Sequence, residues 1–245
     1  MAGHSKWSNI KHRKAGQDAK RAKVFTKIIR ELTVAARDGG ANPEDNPSLR
    51  GVIEKAKSAQ MPKDTMERAI IRGAGGDDGV QLNSLTYEGY GPGGVAVIVE
   101  TMTDNRNRTV AEVRHAFSKA GGSLGTDGSV SYLFEKKGIL RLNSVEQEDD
   151  VIEIAIDSGA EDVETLDDQS IEITTSVDNY VLVKKALTEA DFKVSSGEIT
   201  LVASSSNSLD DSMSTKVLGL LDSLEDLDDV TAVHCNGEFP DGFTG

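Results

Sequence analysis

Cysteine occurs once in the 245 residues, at position 235, so no intrachain disulfide can form and a secreted disulfide scaffold is excluded. Aromatic side chains are almost as scarce, at 4%, which leaves room for several small cores but no large one. No apolar run approaches the roughly 20 residues of a membrane span. The first residues carry positive charge with no apolar segment behind it, so no signal peptide is expected and the cytoplasm is the expected location. The four histidines, His4, His12, His115 and His234, never pair at helical spacing, and the adjacent His234 and Cys235 lack two further ligands at any usual distance. Acidic runs such as Glu148-Asp149-Asp150 and Asp226 with Asp228-Asp229 fall at expected helix ends or loops, read as helix starts and solvated surface, and have no calcium-loop spacing. No nucleophile motif of the G-x-S-x-G or S-x-x-K kind stands out. The expectation is therefore no metal, no cofactor, no membrane contact and no catalytic residue.

Positive charge is scarce in most of the chain and concentrated in one place. The formal net charge is −14, yet residues 1–30 hold nine basic side chains against the single acid Asp18. Through residue 80 the balance is +6, and the remainder carries −20. A polyanion is attracted to one end of such a chain and repelled by the rest.

Residues 1–20 are polar and basic, with Trp7 and Ile10 the exceptions, and read as a weakly ordered arm. From about Asp18, Phe25, Ile28, Ile29, Leu32 and Ala36 form one apolar helical stripe that Gly39-Gly40 ends. Asn46-Pro47 opens a second helix and Pro62 a third, giving a three-helix bundle over 21–76. Beyond it the period changes to that of strands. Strands are expected at 85–90, 95–101 and 130–134, with a helix around Val110, Val113 and Phe117 capped by Gly121-Gly122. Residues 136–203 then read β-α-β-β-α-β, the ferredoxin-like plan. The segments 80–135 and 204–239 together supply parts of a second such unit. The fold expectation is α+β, an N-terminal three-helix domain and two ferredoxin-like α/β domains. In the favoured arrangement the second is inserted in the first; two consecutive independent units is the alternative.

Gly89-Tyr-Gly-Pro-Gly-Gly94 matches the dinucleotide fingerprint in letters, but a strand follows it where a helix is needed and Pro92 removes an amide donor, so a glycine turn is expected. Two features point to a ligand. In the arm, Lys6, Lys11, His12, Arg13 and Lys14 can neutralise phosphates, and Trp7 can stack on an unpaired base. On the first helix Lys20, Lys23, Lys27 and Arg30 form a basic ridge beside Arg21. The plainer reading is a solvated surface with Trp7 as a hydrophobic anchor. The second feature is Thr103-Asp-Asn-Arg-Asn-Arg-Thr109, where Arg106 and Arg108 flank a helix start and Arg114 follows one turn on. These are three of the eleven basic residues beyond position 80. Arginine forks at a helix N-terminus suit an anion; an internal salt bridge to the acidic domains is the competing reading.

Several long runs resemble the YebC family: the opening Met1-Ala-Gly-His-Ser-Lys-Trp-Ser-Asn-Ile-Lys-His-Arg-Lys14, Asp18-Ala-Lys-Arg-Ala-Lys-Val-Phe-Thr-Lys27, Gln60-Met-Pro-Lys-Asp64, Tyr87-Glu-Gly-Tyr-Gly-Pro-Gly-Gly94, Thr103–Thr109, Gly121-Gly-Ser-Leu-Gly125, Gly128-Ser-Val-Ser-Tyr132 and Asn236-Gly-Glu238. Gln60 departs from the asparagine expected there. The resemblance implies three domains without known catalysis. Members of the family are commonly described as DNA-binding transcriptional regulators; mitochondrial relatives resemble translational activators, and bacterial ones are linked to stalled ribosomes. The expected function is a non-enzymatic nucleic-acid-binding regulator, favoured as an RNA- or ribosome-acting translation factor, with a DNA-binding transcriptional regulator as the alternative. No dimerisation element stands out, which slightly favours a monomer.

Overall fold

The computed structural model describes residues 18–75, 82–143, 147–166, 168–240 and 243, and the side chains of 18–22 are not among those described. The expected arm, with Lys6, Trp7, Lys11, His12, Arg13 and Lys14, lies outside the described residues, and Lys20 and Arg21 are described only as helical backbone.

Helices α1 (Asp18–Gly39), α2 (Pro47–Ser58) and α3 (Lys63–Gly75) form the bundle. The apolar stripe read from the sequence is its core: Ile28, Leu32 and Ala36 pack with Leu49, Ala56, Met61, Met66 and Ala69, and Phe25 and Ile29 lie at the margin. Asn46 caps α2 by accepting a hydrogen bond from the Leu49 amide at 3.0 Å, and its amide group donates to the Ala35 carbonyl at 2.8 Å, which ties the cap to α1. Helix α3 approaches α1 closely at Gly73, where a Cβ would stand 2.2 Å from the Thr33 carbonyl oxygen.

Helix α2 ends in a Schellman turn: the Met61 amide donates to Ala56 O and the Gln60 amide to Lys57 O, both at 2.9 Å. That closure forces Gln60 to φ 57°, the left-handed region that Gly and Asn adopt most readily. The departure noted at Gln60 thus falls where asparagine has a backbone reason to be.

In the next sheet the order is β3-β1-β2-β9, built from β1 (Asn83–Tyr90), β2 (Ala96–Thr103), β3 (Ser123–Leu124) and β9 (Val230–Cys235). Helices α4 (Arg106–Lys119) and α7 (Asp211–Glu225) supply Val113, Phe117, Val217, Leu221 and Leu224 to its core, against Val97, Val99 and Val233. Two short strands, β8 (Asn207–Ser208) and β10 (Gly237–Glu238), pair in parallel nearby. The expected strand at 130–134 is not formed: Ser131–Leu133 is a 3-10 turn, and the next long strand begins at Phe134. The cause is Glu88, whose carboxylate accepts the amides of Gly128, Val130 and Ser131 at 2.7–2.8 Å and so removes them from any ladder. Burial opposes the Glu88 charge, but these amides more than offset it and lower its pKa. The strand position left open between β3 and β2 is filled by β1, from before the β-α-β run.

Between Leu133 and Ala203 the chain makes a separate compact unit, Phe134–Val202, after which it returns to the first. This unit runs β4 (Phe134–Leu142), α5 (Glu148–Asp157), β5 (Ala160–Thr165), β6 (Ile171–Ser176), α6 (Tyr180–Glu189) and β7 (Val194–Ala203). Its sheet order, β5-β6-β4-β7, is the ferredoxin-like one, with Leu140, Leu142, Ile171 and Ile173 facing Val151, Val183 and Leu187 from the helices. Pairing of β2 with β9 brings the returning chain into the earlier sheet, so an α+β fold with an interrupted α/β unit is what forms. No helix among the described residues is long and apolar enough to cross a membrane.

Replacing Gln60 by Asn is expected to stabilise the protein by up to about 1 kcal/mol in urea unfolding, through relief at the left-handed position. An unchanged or lower midpoint would show that the turn carries no strain.

Candidate nucleic-acid interface

The candidate site is organised around Asp229, a carboxylate whose side chain is only 2% exposed. It sits between α7 and β9, in a turn that follows the helix without a glycine. Its main-chain oxygen accepts the Met102 amide at 2.8 Å just beyond the β2–β9 bulge at Glu100/Thr101. Its Oδ2 accepts from the hydroxyls of Thr103 at 3.1 Å and Thr109 at 2.8 Å, and from Arg108 at 2.6 Å. Its Oδ1 accepts from Arg30 of α1 at 3.0 Å. Burial disfavours the Asp229 charge, but the bonds from Arg108, Thr109 and Thr103 outweigh it and hold the carboxyl below the ordinary aspartate range.

The Thr103–Thr109 run folds as its residues require. Thr103 ends β2 and its hydroxyl accepts the Asn105 amide at 2.9 Å; Asn105 then caps α4 by accepting the Arg108 amide at 3.1 Å. Arg108 leans back to Asp229 and to Asp104, the latter at 2.8 Å, and these bonds raise its pKa further. For Arg108 the internal salt bridge is therefore what forms. Arg106 and Arg114 are exposed and make no hydrogen bond or ion pair among the described residues. Arg106 lies within electrostatic reach of Tyr87, whose phenol is pushed up by burial and drawn down by that charge.

The basic ridge of α1 meets the same turn. Lys23 Nζ donates to the carbonyl and the carboxylate of Asp226 at 3.2 and 3.3 Å. Lys27 Nζ donates to the Glu225 carbonyl at 2.5 Å, and Arg30 to the Asp228 carbonyl at 2.6 Å. These are carbonyls at and just past the C-terminal end of α7, where partial negative charge accumulates and cations are favoured. The two basic features singled out in the sequence, the α1 ridge and the Thr103–Thr109 run, thus converge on residues 225–229. From the sequence this acidic run reads as solvated surface; Asp229, at 2% exposure, corrects that reading. The signal of the turn is an Asp226-Leu-Asp228-Asp229 run directly after a helix, opposite in sign to both features.

Other ionisable groups serve the fold. Cys235 packs in the core of the sheet that holds β9, and burial there pushes its thiol up to about 11. Arg141 and Glu172, cross-strand neighbours on β4 and β6, pair at 2.6 Å in a buried position. Among the described residues no cluster of three or more His, Cys, Asp or Glu is placed to hold a metal ion.

Known proteins share both the sequence and the architecture. Residues 5–76 match the family described as TACO1/YebC protein N-terminal domain, and residues 82–237 match TACO1/YebC second and third domain. A protein of Hahella chejuensis is 58% identical over 98% of this chain and 97% of its own, and one of Tolumonas auensis is 58% identical over the same shares. Both carry the name probable transcriptional regulatory protein. The crystal structure of a conserved hypothetical protein from Aquifex aeolicus superposes with a TM-score of 0.84 at 46% identity, covering 93% of this chain and 94% of that one.

Asp229→Asn is expected to lower stability by about 2 kcal/mol at pH 7, because a charge-assisted network is replaced by neutral bonds. Since the native pKa of Asp229 is depressed, its contribution is present above the unfolded value near 4 and is lost as pH falls through the native value. Urea unfolding of both proteins should therefore show a constant gap down to about pH 5 that narrows below about pH 4. A gap independent of pH would remove the charge from the explanation.

Proposed function

The chain belongs to the TACO1/YebC family, and from that premise we propose that it is a non-enzymatic nucleic-acid-binding regulator of gene expression, acting on RNA at the ribosome through its basic N-terminal segment and first helix. One observation carries this reading: nine basic side chains against one acid in the first 30 residues of a chain whose net charge is −14. Cations at that density release counterions from a phosphate backbone, which gives affinity without sequence readout. Trp7 adds a stacking surface for an unpaired base, and ribosomal RNA offers both unpaired bases and dense phosphate. Arg106 and Arg114, exposed and without a described partner, extend the positive surface beyond the bundle.

The second reading, a DNA-binding transcriptional regulator, is favoured by the names of the relatives. It would place a helix in the major groove. On either reading Lys23, Lys27 and Arg30 are held by the 225–229 turn in this state, so the α1 ridge must leave that turn to meet phosphate.

Sedimentation with ribosomes through a gradient at low and moderate salt tests the choice. Co-migration that survives moderate salt is expected, and reversing the charge of Lys11, Arg13 and Lys14 should abolish it. For a single-stranded RNA the same change should reduce the slope of log affinity against log salt by about 2, at roughly 0.7 for each phosphate no longer neutralised. Arg106→Ala should weaken binding by about two- to fivefold with no loss of stability, as expected for one exposed arginine on a phosphate. Much tighter binding to one duplex sequence than to random DNA at equal salt would instead establish the DNA reading.

A further inference from the structure

The ridge on α1 has two classes of anion available to it, and in this structure one of them is already in place. Lys23, Lys27 and Arg30 are met by three main-chain carbonyls, of Glu225, Asp226 and Asp228, and by two carboxylates, of Asp226 and Asp229. These oxygens follow one another along a single turn. Each cation finds there what a succession of phosphate oxygens would supply, a hydrogen-bond acceptor carrying full or partial negative charge.

Two features make the contact exchangeable. The Lys23–Asp226 pair is open to water, its side chains 48% and 69% exposed, and a pair of that kind holds weakly; Arg30, 26% exposed, meets the buried Asp229 from the solvent side. In addition, the apolar stripe of α1 is spent within its own bundle, while α7 and β9 belong to a different core. Release of the ridge therefore opens neither core. Nor does it leave Asp229 as an orphaned buried charge: Arg30 holds Oδ1, whereas Oδ2 keeps Arg108, Thr103 and Thr109.

Resting on the nucleic-acid reading above, we propose that the acidic turn 225–229 is an internal competitor for the basic ridge, a stand-in for phosphate that holds Lys23, Lys27 and Arg30 in the free protein and gives way to a nucleic-acid backbone. Docked, the protein meets nucleic acid with its other cations; released, it adds three more on one helix face. Affinity is then set by an exchange of anions. A weak or transient encounter leaves the ridge closed, and a dense phosphate surface opens it.

The test uses the full chain and a 20-nucleotide oligouridine, with a random duplex of equal length for comparison, read by fluorescence anisotropy at fixed salt. Asp226→Asn with Asp228→Asn should raise affinity by about three- to tenfold by weakening the competitor. A charge-matched control, Asp211→Asn with Glu44→Gln, lies toward the far ends of α7 and α1 from the contact and should change affinity less than about twofold. For the converse, Lys23→Cys with Asp226→Cys is joined by a short bismaleimide; Cys235 is buried and does not compete for the reagent. Linking should lower affinity about tenfold relative to the same double variant left unlinked, with an unchanged circular dichroism spectrum. Equal affinity of linked and unlinked protein, or equal gains from the turn and control variants, would overturn the competition while leaving nucleic-acid binding intact. Absence of binding by every form at low salt would overturn the functional reading, and the competition with it.

Discussion

A carboxylate buried to 2% exposure sets the terms for its surroundings, and Asp229 is that group. Removing an aspartate from water costs several kcal/mol unless charge and hydrogen bonds replace the lost hydration. Two threonines and two arginines supply them, drawn from α1, the end of β2 and the start of α4. Satisfying one side chain thus fixes how β2 leads into α4, and in this structure it also draws the first helix to the turn before β9. It also accounts for an arginine in the first turn of a helix, where the dipole disfavours positive charge. Arg108 is held between Asp104 and Asp229, so the local field it feels is set by two nearby carboxylates rather than by the helix end.

Distance decides which acids act on the basic ridge. At physiological ionic strength the Debye length is about 8 Å, so a charge well beyond that distance from the α1 ridge is largely screened from it. The carboxylates and carbonyls of 225–229, at 2.5–3.3 Å, are not. Abundant acid elsewhere in the chain favours solubility. The short acidic turn is what the ridge cations meet at hydrogen-bond distance.

The elements legible in the sequence were those punctuated locally. Asn46-Pro47 begins a helix, Gly40 at φ 86° and Gly121 at φ 84° follow helix ends, and the apolar stripe from Phe25 to Ala36 names its own buried face. The β-α-β-β-α-β order of the second unit follows from the alternation of period alone. What escaped is non-local. Val130–Phe134 has the composition of a strand, and only Glu88, some 40 residues earlier, shows why its amides are taken. The place of β1 between β3 and β2 is likewise a matter of sheet order, which no window of sequence contains. The pairing of Lys23 with Asp226 spans 203 residues. Neither partner's neighbourhood specifies the other; only the complementary sign of two charge runs points toward it.

The Thr103–Thr109 run could have been resolved further from spacing. Arg106 and Arg108 stand two apart on a helix that turns about 100° per residue, so their side chains leave the axis roughly 200° apart. They cannot both reach one carboxylate and cannot both face one ligand. The internal salt bridge, one of two rival descriptions of the same motif, is therefore taken by Arg108 alone. Arg108 turns inward to Asp229, and Arg106 is left outward with its guanidinium uncommitted among the described residues. The same division recurs along α1, where the stripe at Ile28 and Leu32 faces the bundle and Lys27 and Arg30 face the turn. In both helices the buried side fixes the backbone, and the basic residues beside it differ only in whether an internal oxygen lies within reach.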